Sequence, residues 1–487
     1  MELADLGALL PVIWREYHEA TAHTAEKLMA DRSPLDWANM PDPFRTYEGA
    51  PVVDLPAHAA PPRADAIGVL RGQSGEILPG DGAEFLSRLL FHCAAVSASK
   101  VSAMGSRYAL RVNPSSGNLH PTEFHFATHG LGGWPDGLYH YRPADHMAEL
   151  RARGDWSSEV GGAALTFVLT SIAWRETWKY RERGYRYCLL DIGHAGEALS
   201  LAAAACGCVA ETTGRFEDAG LTRLLGLTDE WPMLVVTLRG AGLPVGGGAA
   251  SGPRQWIGGA PNELSRQRLH YPAAGRIHGA GSLDGPVPAA PEPAPDLLPW
   301  WGGDDFASVV RRRRSALDFR GGSESVSRED FRTLLECAWR PGSGAGAISL
   351  YLYVHRVAGL DPGVYHCRGG EPVMTIPGDH RVAIAGLSLR QDLAGNACVA
   401  FSMVADLDRL ASEHGDRGYR YAFFEAGATG QRLYIAAEAL GLQATGIGAF
   451  RDDDVHSYLG LTPERGRVVY HFACGYAVRD HRLEALS

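Results

Sequence analysis

Three short stretches carry residue types whose spacing could do chemistry. Pro114-Ser115-Ser116-Gly117-Asn118-Leu119-His120-Pro121 packs two prolines, two hydroxyls, a glycine and an amide ahead of Glu123-Phe124-His125-Phe126, whose alternation reads as a strand. Proline fixes φ at each end and glycine lets backbone approach something flat or anionic, although any Ser/Gly/Asn/Pro turn looks similar. Arg311-Arg312-Arg313-Arg314-Ser315 runs off a helix expected at Phe306 to Arg313. Arginine forks beside a hydroxyl suit a phosphate, and a solvated charged face is the alternative. Lys179-Tyr180 is the third stretch. Only Lys27, Lys100 and Lys179 occur among 46 basic residues, the rest being arginine. A lysine kept in such a chain can do what arginine cannot, which is to lose its proton.

The elements that must position these groups come in two copies. Arg183-Gly184-Tyr185-Arg186-Tyr187 recurs as Arg417-Gly418-Tyr419-Arg420-Tyr421, and at that offset of 234 residues Arg183 to Thr228 and Arg417 to Thr462 agree at 20 of 46 positions. Two copies of so long a unit indicate a duplicated domain rather than a solenoid. Each copy has a strand (Leu165 to Thr170; Val399 to Val404), then a long helix expected from about Asp191 or Glu425, stopped by Gly207 or Gly441. Leu199, Ala202, Ala203 and Cys206, matched by Leu433, Ala436, Ala437 and Leu440, form a small-residue face on which the two helices could pack closely. Further strands are expected at Gly137 to His140, Gly363 to His366, Leu234 to Leu238 and Val468 to Phe472, and a helix N-capped by Ser327 follows the arginine run. The expected architecture is α+β, two tandem domains forming an intrachain pseudo-dimer. Residues 1–60 read as an extension with a helix over Val12 to Met29, 61–240 as domain 1, 241–300 as a Gly/Pro-rich linker and 301–487 as domain 2.

Composition narrows the function classes. With 487 residues, 45% of them hydrophobic, the chain can bury large cores. A net charge of −10 and a pI of about 6.0 argue against nucleic-acid and anionic-membrane partners, and no stretch is apolar enough to span a bilayer. Leu3 to Val12 is acidic and lacks the basic start of a signal peptide, so a cytoplasmic protein is expected. Eight scattered cysteines, including Cys206-x-Cys208, read as buried thiols, and 19 histidines form no ligand pattern, so no metal is expected. A dinucleotide glycine fingerprint and a Gly-x-Ser-x-Gly nucleophile motif are both wanting.

Taken together, the arginine–serine turn, the Pro-Ser-Ser-Gly loop entering a strand, the long central helix, Tyr17-His18-Glu19-Ala20-Thr21, Lys179-Tyr180 with Arg183 to Tyr187, and Asp191-x-Gly193-His194 resemble the nitroreductase-like flavoproteins. The resemblance is nearest to the SagB-type dehydrogenases, which include the azoline-oxidising McbC and ThcOx proteins, and it covers nearly the whole chain. It implies FMN at the interface of the two domains. Arg313, Arg314 and Ser315 would take the phosphate, with Arg479 as a further candidate. Pro114, Ser115, Ser116 and Asn118 would contact the flavin, and Gly446-Ile447-Gly448 would bring backbone N–H groups to the ring edge. In azoline oxidases a Lys-Tyr pair at the position of Lys179 and Tyr180 is implicated in taking the substrate proton.

The departures from that pattern are asymmetric. Domain 1 has Val69-Leu70-Arg71 where its arginine turn should stand, domain 2 has Gly342-Ser343-Gly344-Ala345-Gly346 in place of the Pro-Ser-Ser loop, and Glu413-His414 replaces the Lys-Tyr pair. One FMN per chain is therefore expected, the alternative being drift in a chain that binds two flavins weakly or none. The resemblance implies an FMN-dependent dehydrogenase or oxidase acting on a small-molecule or peptide-derived intermediate, and it extends to biosynthetic partner proteins. An NAD(P)H-dependent nitro or quinone reductase and a flavin-less scaffold are the alternatives. Neighbouring residues of a helix point apart, so Lys179 and Tyr180 reach one substrate only from an irregular turn.

Overall fold

The computed structural model describes residues 13–30, 34–101, 105–246, 252–284, 297–299, 302–303, 305–339, 346–462 and 465–484. Its core is one antiparallel strand order used twice. In domain 1, Thr122–Thr128 pairs with Gly137–Arg142 and Leu165–Ser171, which pairs with Trp231–Arg239 and so with Val209–Thr213. In domain 2, Ile348–Val354 pairs with Gly363–Cys367 and Val399–Ala405, which pairs with Arg467–Gly475 and so with Gln443–Ile447. The central strands of both sheets are buried along their whole length, which explains their near-continuous apolar runs. The fold is α+β, with two related domains in tandem.

Between the sheets lie the two central helices, Gly184–Ala205 and Gly418–Ala439. They begin seven residues earlier than expected, because the Arg-Gly-Tyr-Arg-Tyr repeat forms their first turns behind short 3-10 segments. The closest approach is not on the alanine face. It falls at Gly193 and Gly427, where an added Cβ would lie 2.2 Å from the carbonyl oxygens of Phe424 and Leu190 respectively. Glycine is needed at both positions so that two backbones can touch. Gly207 and Gly441 end the helices at φ +76° and +73°, as their sequence pattern predicts.

The repeat itself works as an interdomain clamp. Arg183 and Arg186 of domain 1 both pair with Asp452 of domain 2 at 2.9 and 2.8 Å, and Arg417 and Arg420 of domain 2 pair with Asp218 of domain 1 at 2.7 and 2.8 Å. Their remaining donors go to two short helices. Arg183 and Arg186 donate to Thr21 O and His18 O beside the helix Ile13–Ala20, and Arg417 and Arg420 donate to Gly281 O and His278 O at the end of Pro272–Ala280.

Two expectations change here. The first helix is broken: Ile13–Ala20 and Ala25–Ala30 flank Thr21, whose hydroxyl bonds back to Tyr17 O, and Val12 lies outside the described residues. Within the stretch read as linker, Gln255–Trp256 and Ala260–Pro261 add to strands, and Pro272–Ala280 is the helix that the clamp grips. Leu483–Glu484 pairs with Val96–Val101 of domain 1, so the end of domain 2 crosses over to its partner. Among the described residues no helix is long and apolar enough to cross a membrane.

Candidate active site

The loop after Asn113 is held in a conformation that L-residues seldom adopt. Gly117, Asn118 and His120 have φ of +60°, +60° and +49°. Hydrogen bonds over-determine it: His120 N donates to Ser115 Oγ (2.8 Å), Asn118 Nδ2 to Ala109 O (3.0 Å), and Ser116 donates through N (3.1 Å) and Oγ (2.9 Å) to Asp191 on the central helix. Ser115, Ser116 and Asn118 thus spend their side chains on shaping the loop. Pro114 is buried at its entry.

Lys179 and Tyr180 end the helix Ala173–Tyr180, and the caution about neighbours pointing apart is resolved at its C-terminus. Tyr180 leaves helical geometry, Arg181 follows at φ 52° and ψ −137°, and both side chains turn to the same place. A Cβ on Gly117 would stand 2.6 Å from Tyr180 Oη and 2.8 Å from Lys179 Nζ. Burial lowers the Lys179 ammonium below its ordinary value, opposed by the Glu176 carboxyl, and burial raises the Tyr180 phenol well above 10. Burial also pushes Asp191 up to about 7, against the bonds from Ser115 and Ser116 that pull it down.

The arginine turn meets this loop across the domain boundary. Arg313 Nε and Nη2 donate to Val112 O (3.1 Å) and Arg111 O (3.4 Å), in the segment leading to Pro114. Arg314 Nη2 donates to Ser97 O (2.9 Å) and Arg311 Nη1 to Val96 O (2.9 Å). Among the described residues none of these three arginines pairs with a carboxylate, and the buried Nη1 of Arg313 has no acceptor. Burial and then its neighbours Arg313 and Arg311 lower Arg314 to about 10. Three crowded cations with an idle buried donor fit a bound phosphate, whose charge would relieve the crowding. Arg314, Ser315 and Arg479 line one cleft of about 490 Å³.

 

Tyrosines join the two ends of the site. Tyr434 Oη contacts Ser315 Oγ (2.8 Å) and accepts from Gly446 N (2.9 Å), while its ring lies 4.9 Å under the Arg313 guanidinium. A Cβ on Gly446 would meet Tyr470 Oη, and one on Gly448 would lie 2.2 Å from the ring of Tyr187, which in turn packs 4.4 Å from Tyr180. Ile447 is buried between these glycines. Tyr187, Tyr434 and Tyr470 thus link the Lys179–Tyr180 end to the arginine turn, and Arg479 lies in the outer cleft. Sequence reasoning placed Tyr187 only within the Arg-Gly-Tyr-Arg-Tyr repeat, not at the site, and missed Tyr434, Tyr470 and Glu176. The repeat held a signal for two of them, since Tyr434 faces Ser200 and Glu176 faces Leu410 at the same offset.

The pseudo-symmetric position is built differently. Glu425 accepts from Ala347 N and Ile348 N, much as Asp191 holds Ser116, and Tyr421 packs on Gly214 as Tyr187 does on Gly448. The cation there is already satisfied: Arg432 pairs with Glu197 at 2.9 Å and donates to Cys337 O and Leu70 O. Arg71 turns outward to Glu336. Of the Gly342 to Gly346 stretch only Gly346 lies within the described residues.

The nitroreductase family matches residues 92–241 and 310–476. A Methanocaldococcus jannaschii protein named as a nitroreductase is 31% identical over 126 residues, 25% of this chain and 63% of its own length. A crystal structure named as a nitroreductase from Anabaena variabilis aligns over 96% of this chain and all of its own, with 24% identity and a TM-score of 0.77. The two matched regions coincide with the two sheets and their central helices, and the chain belongs to the nitroreductase family.

Proposed function

We propose that this chain is an FMN-dependent dehydrogenase or oxidase of the SagB type, binding one FMN between its domains and acting on a peptide-derived or other natural-product intermediate. The observation that carries the reading is the convergence of Lys179 Nζ and Tyr180 Oη on Gly117, in a loop that Arg313 grips from the other domain. Bound FMN would supply the two-electron acceptor. Arg311, Arg313, Arg314 and Ser315 would hold its phosphate, while Gly446, whose N–H goes to Tyr434, and Gly448 give room to Tyr470 and Tyr187 beside the site rather than to the ring edge. Lys179, with its proton affinity reduced by burial, takes the substrate proton at Nζ, while Tyr180 stays protonated and orients the substrate through Oη. Arg432, bound to Glu197, leaves the second position without an idle cation, which supports a single FMN.

Flavin content of the purified chain tests the stoichiometry: one FMN per chain is expected, and two would refute the single-site reading. Arg314→Ala should weaken FMN binding by about 10- to 100-fold, the worth of a charge-assisted bond. Lys179→Ala should abolish oxidation of an azoline-bearing peptide with FMN retained. Unchanged turnover would sink the base role and favour a nitro or quinone reductase.

A further inference from the structure

Glu176 is a buried carboxyl that the proposed reaction does not use. It is fully inaccessible, and neither carboxylate oxygen has a hydrogen-bond partner. It lies on the helix Ala173–Tyr180, three residues before Lys179 and four before Tyr180, so its side chain shares their face. At the offset of the repeat its counterpart is Leu410, so the acid occurs only in the half that carries the Lys-Tyr pair.

We propose that Glu176 is a positioning residue that sets the proton affinity of Lys179, an inference that rests on the base role given to that lysine above. Burial, and after it the Asp191 carboxyl, raises Glu176 well above its ordinary value, so this unbonded acid either keeps its proton or ionises beside a nearby cation. Lys179 becomes that cation when it takes a proton. The other charged or titratable groups acting on the acid are Asp191 and Cys188 on the central helix and Arg175 and Tyr180 on its own helix. Of these, Arg175 is committed to Glu123 and Asp191 to Ser116. Glu176 thus counters the burial that would otherwise strip Lys179 of its proton too readily.

The scarcity of lysine makes a direct test practical. Trace acylation of the FMN-loaded chain across a pH series, read by peptide mass spectrometry, gives a titration midpoint for Lys179, with Lys27 and Lys100 as internal references. In Glu176→Gln the Lys179 midpoint should fall by about one unit, so that its labelling below the midpoint rises about tenfold, while both references stay fixed. Glu176→Asp should restore part of the shift. Glu176→Leu, which places the residue of the other half, gives the same readout if the amide variant fails to fold. An unchanged Lys179 midpoint in a folded, FMN-loaded variant overturns the inference. If the midpoint shifts but Lys179→Ala retains turnover, the base role fails instead.

Discussion

Replacing Gly117 by alanine separates site geometry from fold stability. The new methyl carbon would lie 2.6 Å from Tyr180 Oη and 2.8 Å from Lys179 Nζ, closer than non-bonded atoms settle. Both atoms are the free ends of long side chains, so they can retreat by roughly 0.5–1 Å at little cost in packing. The backbone already sits at φ 60° and ψ 12°, where a Cβ costs about 1–2 kcal/mol. Stability should therefore fall by no more than about 2 kcal/mol. Catalysis should fall much further, because a misplacement of about 1 Å can cost about 100-fold in rate. FMN content should not change, since Arg313 and Ser315 hold the opposite end of the site. The assay is turnover of an azoline-bearing peptide beside a thermal melt and a flavin spectrum. Turnover within about threefold of the parent at full FMN content would refute the placement of both side chains on this glycine.

Other consequences follow from the same contacts. Asp191 titrates near 7 in the folded chain and near 4 when unfolded, so between those values the native state binds the extra proton and stability falls as pH rises. Asp191→Asn removes that loss, and its advantage in denaturant melts should grow from about pH 4 to about pH 7 and then level off; a constant difference would refute the shift. Asp452→Asn leaves Arg183 and Arg186 buried without their carboxylate and should cost about 3–5 kcal/mol, as should Asp218→Asn in the mirrored clamp. A loss under 1 kcal/mol in both would show that the clamps do not join the domains. Arg181 holds a backbone region suited to glycine, and Gly415 stands there in domain 2 at φ 60° and ψ −154°. Arg181→Gly should raise stability by about 1 kcal/mol after the backbone entropy of glycine is counted, and a lower melting temperature would oppose this.

Much of this fold was legible because its signals are periodic or duplicated. The strands at Leu165–Ser171 and Val399–Ala405 stand within a residue of their expected ends, and Ser327 caps its helix through Asp330 N as its spacing predicts. The cross-domain meeting of Arg313 with the segment before Pro114 also follows from complementary losses in the two halves. What stayed hidden depends on contacts between distant segments. The first turns of the central helices look polar and aromatic, and only the clamp to Asp452 and Asp218 explains why they are helical and buried. The helix Pro272–Ala280 lies in a stretch rich in Gly, Pro and Ala; Pro272 starts it, Glu182 accepts from Ala273 N and Ala274 N, and Arg417 and Arg420 bond the carbonyls at its end, contacts between distant segments that the stretch itself does not show.

The contrast between clamp and site explains how a duplicated chain can specialise. The clamp is symmetric: each Arg-x-x-Arg pair needs an aspartate from the other half, so loss of either copy leaves buried arginines unpaired. The ligand positions carry no such reciprocal demand. Arg432 and Glu197 pair off at one position while Arg313 keeps an idle donor at the other, because each cluster is satisfied or frustrated alone. The second position keeps a cavity of about 290 Å³ lined by Glu197, Gly214, Glu425 and Arg432, while the interface between the halves holds its two-fold pattern. The Lys-Tyr pair, Glu176 and the strained Arg181 all fall on the half that carries the Pro-Ser-Ser-Gly loop, and that asymmetry is what the proposed single site requires.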